Sequence, residues 1–337
     1  MQHLRDACPA GGDEALLAQL CAVVNLLAQG RAPDFVAPVL AGAGLVALPK
    51  PNGGVRPIAV GEILRLRRLT SKFLMTMVRD DARAFFYPAQ VGVAVPGGSE
   101  KVIHTARAWW QRHRHGPSPK VLLKLDFANA FNTVDPDCLL PIVRDQFPGL
   151  ARWTAWCYRQ PTRLQFANHT LESQTGVQQG DPLGPLLFST ALQPLASELR
   201  TCGLDIAVHY LDDGVLAGDL AVVSDALRLV QCRATAIGLR LNLSKCDLVP
   251  VGPVNIAGLH MHFPDALLAL QTAPAKFLGT WAGPLATTIS STSTRLNERP
   301  KPATFWMQSG SSPRPASGPS APPLLRWVCQ AGSQHAL

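Results

Sequence analysis

The sequence lacks the features that would direct the chain into a membrane, along the secretory route or around a zinc ion. No apolar run approaches the roughly 18 residues that a membrane span needs. Residues 1–6 contain no uninterrupted apolar stretch followed by a cleavage site of small residues, so secretion is not expected. The eight cysteines include no Cys-x-x-Cys pair. This cysteine usage predicts a reduced, intracellular chain without a zinc site.

The net charge of +8 is unevenly distributed along the chain. Residues 271–337 contain six Lys or Arg and one acid, so they hold +5, and the first 270 residues hold only +3. A positive balance suits a polyanionic partner. Nucleic-acid binding by the first 270 residues would therefore depend on local patches rather than on overall charge.

The last part of the sequence has little to bury. Residues 271–337 contain nine prolines and sixteen Ser or Thr, and residues 313–323 have almost no apolar side chains. Such a composition does not compensate for the entropy lost on folding, so it predicts disorder. Residues 263–337 are therefore predicted to form a Pro/Ser-rich tail.

The rest of the 337-residue chain, which is 47% hydrophobic overall, allows one or two globular domains. Apolar residues at helical spacing predict helices at 13–29, 61–86, 97–110, from 136 onward, 151–158, 183–200 and 220–237. Short apolar runs predict strands at 44–48, 55–60, 121–125 and 163–167, in the two arms of 206–217, and in a short pair reaching 259. Their irregular alternation predicts an α+β fold, a sheet backed by helices.

The stretch His209-Tyr210-Leu211-Asp212-Asp213-Gly214 places two carboxylates between apolar runs that predict a hairpin. Taken alone, it reads about equally well as a solvated tight turn at the Asp-Gly step. A third carboxylate, Asp126, ends the predicted strand 121–125. Three carboxylates at strand ends can surround the two divalent cations of phosphoryl transfer, whereas without metal they would repel one another.

Three other stretches have both a functional and an ordinary interpretation. Lys50 and Arg56 flank the Gly-containing turn 51–54 and could grip a triphosphate or lie in solvent. Gln179-Gly180 could let a flat substrate approach the backbone, or could simply start a helix. A third group could track phosphates or form a charged helix surface; it comprises Arg65, Arg67, Arg68, Lys72, Arg79 and Arg83.

Taken in order, these stretches resemble reverse transcriptases of the non-LTR retrotransposon type. The resemblance covers residues 40–259 and rests on the hairpin 49–58, Leu125-Asp126-Phe127 with Phe131, Gln179-Gly180, Leu211-Asp212-Asp213, and Gly238-Leu239-Arg240-Leu241-Asn242 with Lys245. It implies the fingers and palm of a right-hand polymerase with an antiparallel palm sheet. The implied divisions are an N-terminal helical segment (1–39), fingers (40–119), and palm (120–262) with an interleaved fingers segment (about 146–175).

The resemblance also implies roles for the residues that match its motifs. Asp126 and Asp212 would hold two Mg²⁺ ions, or Mn²⁺ in their place, with the Phe127 carbonyl as a further ligand and Asp213 in support. Lys245 would protonate the leaving pyrophosphate.

The remaining matches would contact the incoming nucleotide. Phe131 would exclude a 2′-hydroxyl by its bulk, and Lys50 and Arg56 would bind the triphosphate. Gln179 and Gly180 would lie against the nucleotide and the template.

Three features depart from the family pattern. Leu211 stands where many relatives have Ala or Met. Residues 61–69 contain two residues more than the family's Gly-Glu-x-x-Arg-Arg-Leu pattern, which rotates the following helix face by roughly 200°. The Pro/Ser-rich tail stands where the family has a helical thumb, so the thumb is expected to be missing or degenerate.

The leading hypothesis is RNA-templated DNA synthesis, with an RNA template, a DNA primer and dNTPs as partners and no membrane. The alternatives are a truncated, inactive retroelement remnant that at most binds nucleic acid, and an RNA-templated RNA polymerase, against which Phe131 argues. Family habit implies an intracellular location, with the nucleus as one candidate compartment. The oligomeric state stays open.

Overall fold

The computed structural model of the protein describes residues 14–49, 55–61, 66–268, 276–277 and 280–281. The helices are α1 (Glu14–Ala28), α2 (Ala37–Leu40), α3 (Leu66–Met77), α4 (Arg79–Phe86), α5 (Gly98–His113), α6 (Ala130–Thr133), α7 (Pro136–Gln146), α8 (Pro148–Tyr158), α9 (Gly184–Leu199), α10 (Leu220–Ala236), α11 (Ile256–His262) and α12 (Asp265–Leu268). The strands are β1 (Ala43–Pro49), β2 (Val55–Gly61), β3 (Lys120–Leu125), β4 (Thr162–Phe166), β5 (His169–Ser173), β6 (Ile206–Tyr210), β7 (Asp213–Asp219), β8 (Asp247–Val251), β9 (Lys276–Phe277) and β10 (Thr280–Trp281). The predicted α+β class, with an antiparallel sheet backed by helices, is confirmed.

One four-stranded sheet has the order β2-β1-β4-β5. The predicted hairpin forms its first half, because β1 pairs antiparallel with β2 from Ala43 opposite Gly61 to Pro49 opposite Val55. Strand β4 joins β1 in parallel and pairs antiparallel with β5. The sequence did not predict β5, because four of its five residues are exposed and it has no buried apolar face.

The second four-stranded sheet has the order β6-β7-β3-β8 and is antiparallel throughout. Strand β3 lies inside the sheet, and four of its six residues are buried. Leu125 at its end pairs with Gly214 on β7, and Lys124 pairs with Asp247 on β8. This register brings the end of β3 to the start of β7.

Helix α9 lies in the main core. Twelve of its sixteen residues are buried, among them the polar residues Ser189, Thr190 and Gln193. A helix that is apolar on nearly every side is expected to be buried. A smaller apolar cluster lies between α5 and the β6-β7-β3-β8 sheet and includes Val102 and Trp109 of the helix. The sheet is therefore packed on both faces.

Two predicted elements differ from the structure. The helical region 61–86 is present as two helices, α3 and α4, which are separated at Val78, but Gly61 ends β2 instead of starting a helix. The short strand pair reaching residue 259 is not present, because β8 is followed by α11. The side chain of Asn255 accepts a hydrogen bond from the Gly258 amide and caps that helix, a favoured way of starting one.

The division into fingers, palm and tail stays a prediction. Most of the predicted tail lies outside the described residues, as do Lys50 and Arg65. The expectation of a missing or degenerate thumb falls largely on that same part of the chain. Within the described part, no helix is both long enough and apolar enough to cross a bilayer.

Candidate active site

The hairpin of β6 and β7 turns at Leu211 and Asp212. Tyr210 pairs with Asp213, so two residues form the turn, and Leu211 has a positive φ of 56°. The alternative that the hairpin turns at Asp213-Gly214 was wrong. Gly214 lies within β7, where an added Cβ would come within 2.9 Å of Nε2 of His209 and of Cδ1 of Leu125. Close packing against these two side chains therefore favours glycine at this position, since any Cβ would displace one of them.

Asp126 lies at the same end of the sheet as this turn. Because Leu125 pairs with Gly214, the residue after β3 lies beside the start of β7. The backbone of Asp126 is held from the other side, where its carbonyl accepts a hydrogen bond from the Asn242 amide at 2.8 Å. The structure thus brings the three predicted carboxylates to one edge of the sheet.

Burial and neighbouring negative charge both raise the pKa of carboxylates at this edge. Burial raises the pKa of Asp212, and the negative charge of Asp126 raises it further. Burial also raises the pKa of Asp126 and of Asp213, and the pKa of Asp213 is raised in addition by the charges of Asp212 and Asp126. Each carboxylate is easier to ionise when a cation is nearby.

Lys124 supplies a positive charge at this edge and was missed by sequence reasoning. Its Nζ lies 3.9 Å from Oδ1 of Asp213. Its charge opposes the rise in the pKa of Asp126, Asp212 and Asp213, and that of a fourth carboxylate, Asp247, whose pKa burial also raises. The signal in the sequence was the alternation of β3, which places residues 124 and 126 on the same side of the strand.

The donor set fits Mg²⁺ or Mn²⁺. No three His, Cys, Asp or Glu side chains within the described ranges are grouped closely enough to form an all-protein cage. Mg²⁺ sites of polymerases use one or two carboxylates and complete the shell with substrate phosphates and water. Asp126 and Asp212 supply that number. No described backbone amide donates to the carbonyl of Phe127, which leaves this oxygen available as a further ligand.

Lys245 and Cys246, which follow Asn242 in the chain, also influence Asp126. Lys245 is exposed at the end of a 3₁₀ turn (Leu243–Lys245), and its charge opposes the rise in the pKa of Asp126. Cys246 is fully buried, and its Sγ accepts a hydrogen bond from the Asp126 amide at 3.4 Å. Burial raises the pKa of this thiol to about 11. Sequence reasoning found Lys245 but not Cys246, whose contact depends on the tertiary fold.

Phe131 is partly buried and stacks on Phe188 of α9, with ring centroids 4.6 Å apart and planes 16° apart. Its carbonyl accepts a hydrogen bond from the Val177 amide at 2.7 Å. Gly176 passes so close that an added Cβ would lie 2.6 Å from that carbonyl oxygen. The glycine- and glutamine-containing loop therefore lies directly against the Phe131 segment.

The same loop borders a cavity of about 320 Å³ beside the β2-β1-β4-β5 sheet, which Gln179 helps to line together with Leu45 and Ala59. Gly180 is exposed, has a positive φ of 95°, and lies across from the Ala59 carbonyl. This loop leads directly into α9, as expected if Gln179-Gly180 belongs to a helix-initiating turn. That structural role is compatible with a contact between the loop and a substrate.

Arg67 is buried, so neither interpretation of the basic group 65–83 applies to it. Its Nε lies 2.8 Å from Oδ2 of Asp181, one Nη donates to the Tyr158 hydroxyl at 2.8 Å, and the other donates to the Ala41 carbonyl. The signal was the spacing 67, 70, 71 and 74, which is the buried face of α3. Arg68 is exposed, as the surface interpretation expected.

The predicted triphosphate-binding residues are less fully described. Lys50 lies outside the described residues. Arg56 lies on β2 opposite Leu48, and only its backbone is described. Their predicted roles are untested by the geometry.

Comparison with known proteins gives a family. The family model described as reverse transcriptase (RNA-dependent DNA polymerase) matches residues 48–282. The chain is 27% identical over 245 residues to the retrotransposable element SLACS 132 kDa protein of Trypanosoma brucei gambiense, covering 70% of this chain and 20% of that protein. It is 27% identical over 157 residues to the retrovirus-related Pol polyprotein from type-1 retrotransposable element R2 of Nasonia vitripennis, covering 42% of this chain and 15% of that protein. The chain therefore spans a fifth or less of these relatives.

Solved structures with some likeness are telomerases. Apo telomerase from Candida tropicalis, truncated from its C-terminal domain, gives a TM-score of 0.47 at 12% identity over 65% of this chain and 52% of that one. Telomerase from Candida albicans in complex with a fragment of telomeric RNA gives 0.47 at 14% identity over 66% and 43%. With TM-scores below 0.5, these structures carry no argument about the family. The match to the family model and the two retrotransposon relatives show that the chain belongs to the reverse transcriptase family, in its non-LTR retrotransposon type.

Proposed function

We propose that the chain catalyses RNA-templated DNA synthesis, adding a deoxynucleotide from a dNTP to a primer 3′-hydroxyl. The observation that supports this most directly is the pairing of the β3 end with the β7 start, which puts Asp126 beside the Leu211-Asp212 turn. Two carboxylates from adjacent strands, each with a pKa raised by burial, offer the charge and the oxygen donors that suit a pair of hard divalent cations.

In this proposal the carboxylates of Asp126 and Asp212 hold both Mg²⁺ ions, with the Phe127 carbonyl as a further ligand. When bound, the two ions activate the primer hydroxyl and stabilise the leaving oxygen of an in-line displacement. Asp213 acts in support, since Lys124 lies 3.9 Å from it and offsets part of its charge. The protein contributes mainly positioning and electrostatic stabilisation, as in other phosphoryl transfers.

The nucleotide is held by residues around this metal site. Lys50 and Arg56 bind the triphosphate, and Gln179 and Gly180 lie against the nucleotide and template. The cavity that Gln179 lines offers room for a planar group beside this loop. Phe131, whose ring is held by stacking on Phe188, excludes a 2′-hydroxyl. Lys245, exposed and close enough to influence Asp126, protonates the departing pyrophosphate.

The test is Mg²⁺-dependent extension of a DNA primer on an RNA template by the purified chain. We expect extension by the wild-type chain and a loss of about 10²–10³-fold or more in Asp212→Ala/Asp213→Ala, because charge stabilisation at the reacting phosphate is lost. Asp145→Asn, an exposed carboxylate on α7, serves as the matched control and should extend normally. A folded wild-type chain that binds the duplex without extending it would instead favour the inactive remnant.

Phe131 tests which nucleotide the site accepts. Phe131→Ala should raise the use of ribonucleotides relative to deoxynucleotides by about 10-fold or more, because the bulk that excludes the 2′-hydroxyl is removed. Competition between a dNTP and the matching rNTP on the same template measures the ratio of their kcat/KM values. A ratio unchanged from wild type would remove Phe131 from the role of sugar gate.

A further inference from the structure

The turn that presents Asp212 has a conformation that its sequence does not favour. In a two-residue hairpin loop with positive φ at the first central residue only, that residue is usually glycine. Here it is Leu211, with φ 56°, and a bulky residue in the left-handed region is a genuine outlier. Such strain persists only where the surroundings over-determine the conformation, and it is often found at functional sites.

Hydrogen bonds from the side chain of Gln90 hold Leu211 in this conformation. Gln90 is 1% exposed, and its Nε2 donates to the Leu211 carbonyl at 3.0 Å. Its Oε1 accepts from the Leu211 amide at 2.8 Å and from the Gly92 amide at 2.9 Å. One buried amide therefore satisfies both backbone groups of the residue in the left-handed conformation, and leaves neither group unpaired.

The backbone on either side of Gln90 is hydrogen-bonded to β6 of the β6-β7 hairpin. The His209 amide donates to the Ala89 carbonyl, and the Val91 amide donates to the His209 carbonyl, both at 2.8 Å. The segment 89–91 therefore runs alongside β6 as a short parallel bridge. The backbone of Gln90 is thereby fixed beside His209, two residues before the turn begins, and its side-chain amide extends from there to Leu211.

Gly92 lets this segment approach the turn closely. An added Cβ on Gly92 would lie 2.7 Å from the Leu211 amide nitrogen and 2.8 Å from its Cγ. Those distances are far inside van der Waals contact, so any larger residue would push the turn away. Gln90 and Gly92 thus act on the same residue of the turn, one by hydrogen bonds and the other by leaving space.

We propose that Gln90 is a positioning residue of the active site: its side-chain amide fixes Leu211 in the left-handed conformation and thereby sets where the Asp212 carboxylate lies. This inference rests on the proposed polymerase function for its effect on rate. Its structural part, the stabilisation of the turn, is independent of that function.

The main test compares Gln90→Met, which keeps length and removes all three hydrogen bonds, with the wild-type chain. We expect kcat for primer extension to fall by about 10–10²-fold with KM for dNTP changed less than about 2-fold, since misplacement of a catalytic group by a fraction of an ångström affects the chemical step.

Two further variants separate positioning from general stability. Leu211→Gly removes the cost of the left-handed conformation, so it should restore kcat of Gln90→Met by about 10-fold or more. Gln193→Met is the matched control, since Gln193 is also buried and its Nε2 donates to the Phe85 carbonyl at 2.9 Å and to Oγ of Ser197, both outside the turn. It should leave kcat within about 2-fold of wild type.

A readout that needs no polymerase activity completes the test. Amide hydrogen exchange of peptides spanning 206–219 should be faster in Gln90→Met than in Gln193→Met, and slowed again by Leu211→Gly. If Gln90→Met fails to fold, Gly92→Ala tests the same geometry and should show the same local exchange and loss of kcat.

The two possible failures are distinguishable. Equal exchange and equal kcat in Gln90→Met and Gln193→Met, or no restoration by Leu211→Gly, would overturn the role of Gln90. Faster exchange at the hairpin in a chain whose wild-type form never extends a primer would support the role of Gln90 and contradict the proposed function instead.

Discussion

The half-buried carboxylates at the end of the β6-β7-β3-β8 sheet oppose folding when no cation is bound. Burial and mutual repulsion raise the pKa of Asp212 above its value in the unfolded chain. The folded state therefore binds the proton more tightly, and this group's contribution to the free energy of unfolding falls as pH rises through the raised pKa. A site kept ready for metal is in this way a local source of instability.

Asp212→Asn should consequently stabilise the metal-free fold while abolishing extension. We expect the free energy of unfolding at pH 7 in chelator to rise by about 0.5–2 kcal/mol, and the gain to shrink as pH is lowered through the raised pKa, where the wild-type carboxyl takes up its proton. Chemical denaturation across pH measures it. The exposed control Asp145→Asn should show no such gain, and a loss of stability in Asp212→Asn would contradict the repulsion.

His209 gives the opposite pH dependence. It is 1% exposed, and neither ring nitrogen makes a well-formed hydrogen bond within the described structure. Burial lowers its pKa from 6.5 to about 4, although the neighbouring Ala89 backbone opposes this shift. Below pH 6.5 the His209 imidazole is protonated in the unfolded chain but stays neutral in the folded chain until the pH approaches 4. Stability from this group is therefore complete above that pH and is lost as pH falls toward 4.

His209→Leu should remove that loss, because leucine fills a similar volume without titrating. Between pH 6.5 and 4 the wild-type chain should lose up to about 3 kcal/mol more of its free energy of unfolding than the variant does. Denaturant titrations at several pH values give both curves. His169→Leu changes an exposed strand histidine on β5 and should run parallel to wild type. If His209→Leu also runs parallel, the histidine is not held neutral.

At this scale the sequence was informative where chemistry and local pattern coincide. Asp126, Asp212 and Asp213 could be found because their order along the chain, together with the other motifs, matches a family. Gln90 and Cys246 could not, since each acts through a neighbour brought in by strand pairing or by a loop. Gln90 lies 121 residues before the turn that it contacts.

Among the elements, α3 is joined to the loop before α9 by a buried ion pair. Arg67 and Asp181 are 5% and 3% exposed, and Oδ1 of Asp181 also accepts from the Leu183 amide at 3.0 Å, just before α9 begins. A buried pair of this kind adds little when intact, because two desolvated charges are costly. Removing one partner leaves the other charge buried and uncompensated.

Arg67→Met should therefore destabilise the fold by about 3–5 kcal/mol, measured as the free energy of unfolding in denaturant. Arg67→Met/Asp181→Asn should recover much of the loss, because the asparagine oxygen can still accept from the Leu183 amide without a net charge. Arg228→Met removes an exposed pair with Asp225 and should cost less than about 1 kcal/mol. A double variant no more stable than Arg67→Met would show that the hydrogen bonds, and not the charge, matter.

Elements with a clear period were predicted well, and those set by context were not. The helix predicted at 13–29 is α1, and the predicted hairpin 206–217 is β6 with β7. Strand β5 has no apolar alternation and exists because β4 offers it an edge. The helix α11 stands where a strand was predicted, and its first turn is capped by the side chain of Asn255.

Across the whole molecule, six described cations have acidic partners. Lys120 bridges Asp205 and Asp219 at 2.9 and 3.0 Å. Ion pairs within the described ranges also engage Arg67, Lys124, Arg144, Arg228 and Arg233. The surplus of positive charge is largest in residues 271–337, which contain six basic residues and one acid. Binding to a phosphate backbone is therefore expected to come in good part from that stretch.

The salt dependence of nucleic-acid binding tests this distribution. The variant changes every basic residue of 271–337 to Gln: Lys276, Arg295, Arg299, Lys301, Arg314 and Arg326. Each duplex phosphate that the protein no longer neutralises makes the slope of log K against log salt shallower by about 0.9, so we expect the slope to become shallower by about 2 or more. Fluorescence anisotropy with an RNA–DNA duplex measures it. Six Ser→Gln changes in the same stretch form the control, and an unchanged slope in the basic-to-Gln variant would place the phosphate-binding residues in the first 270 positions.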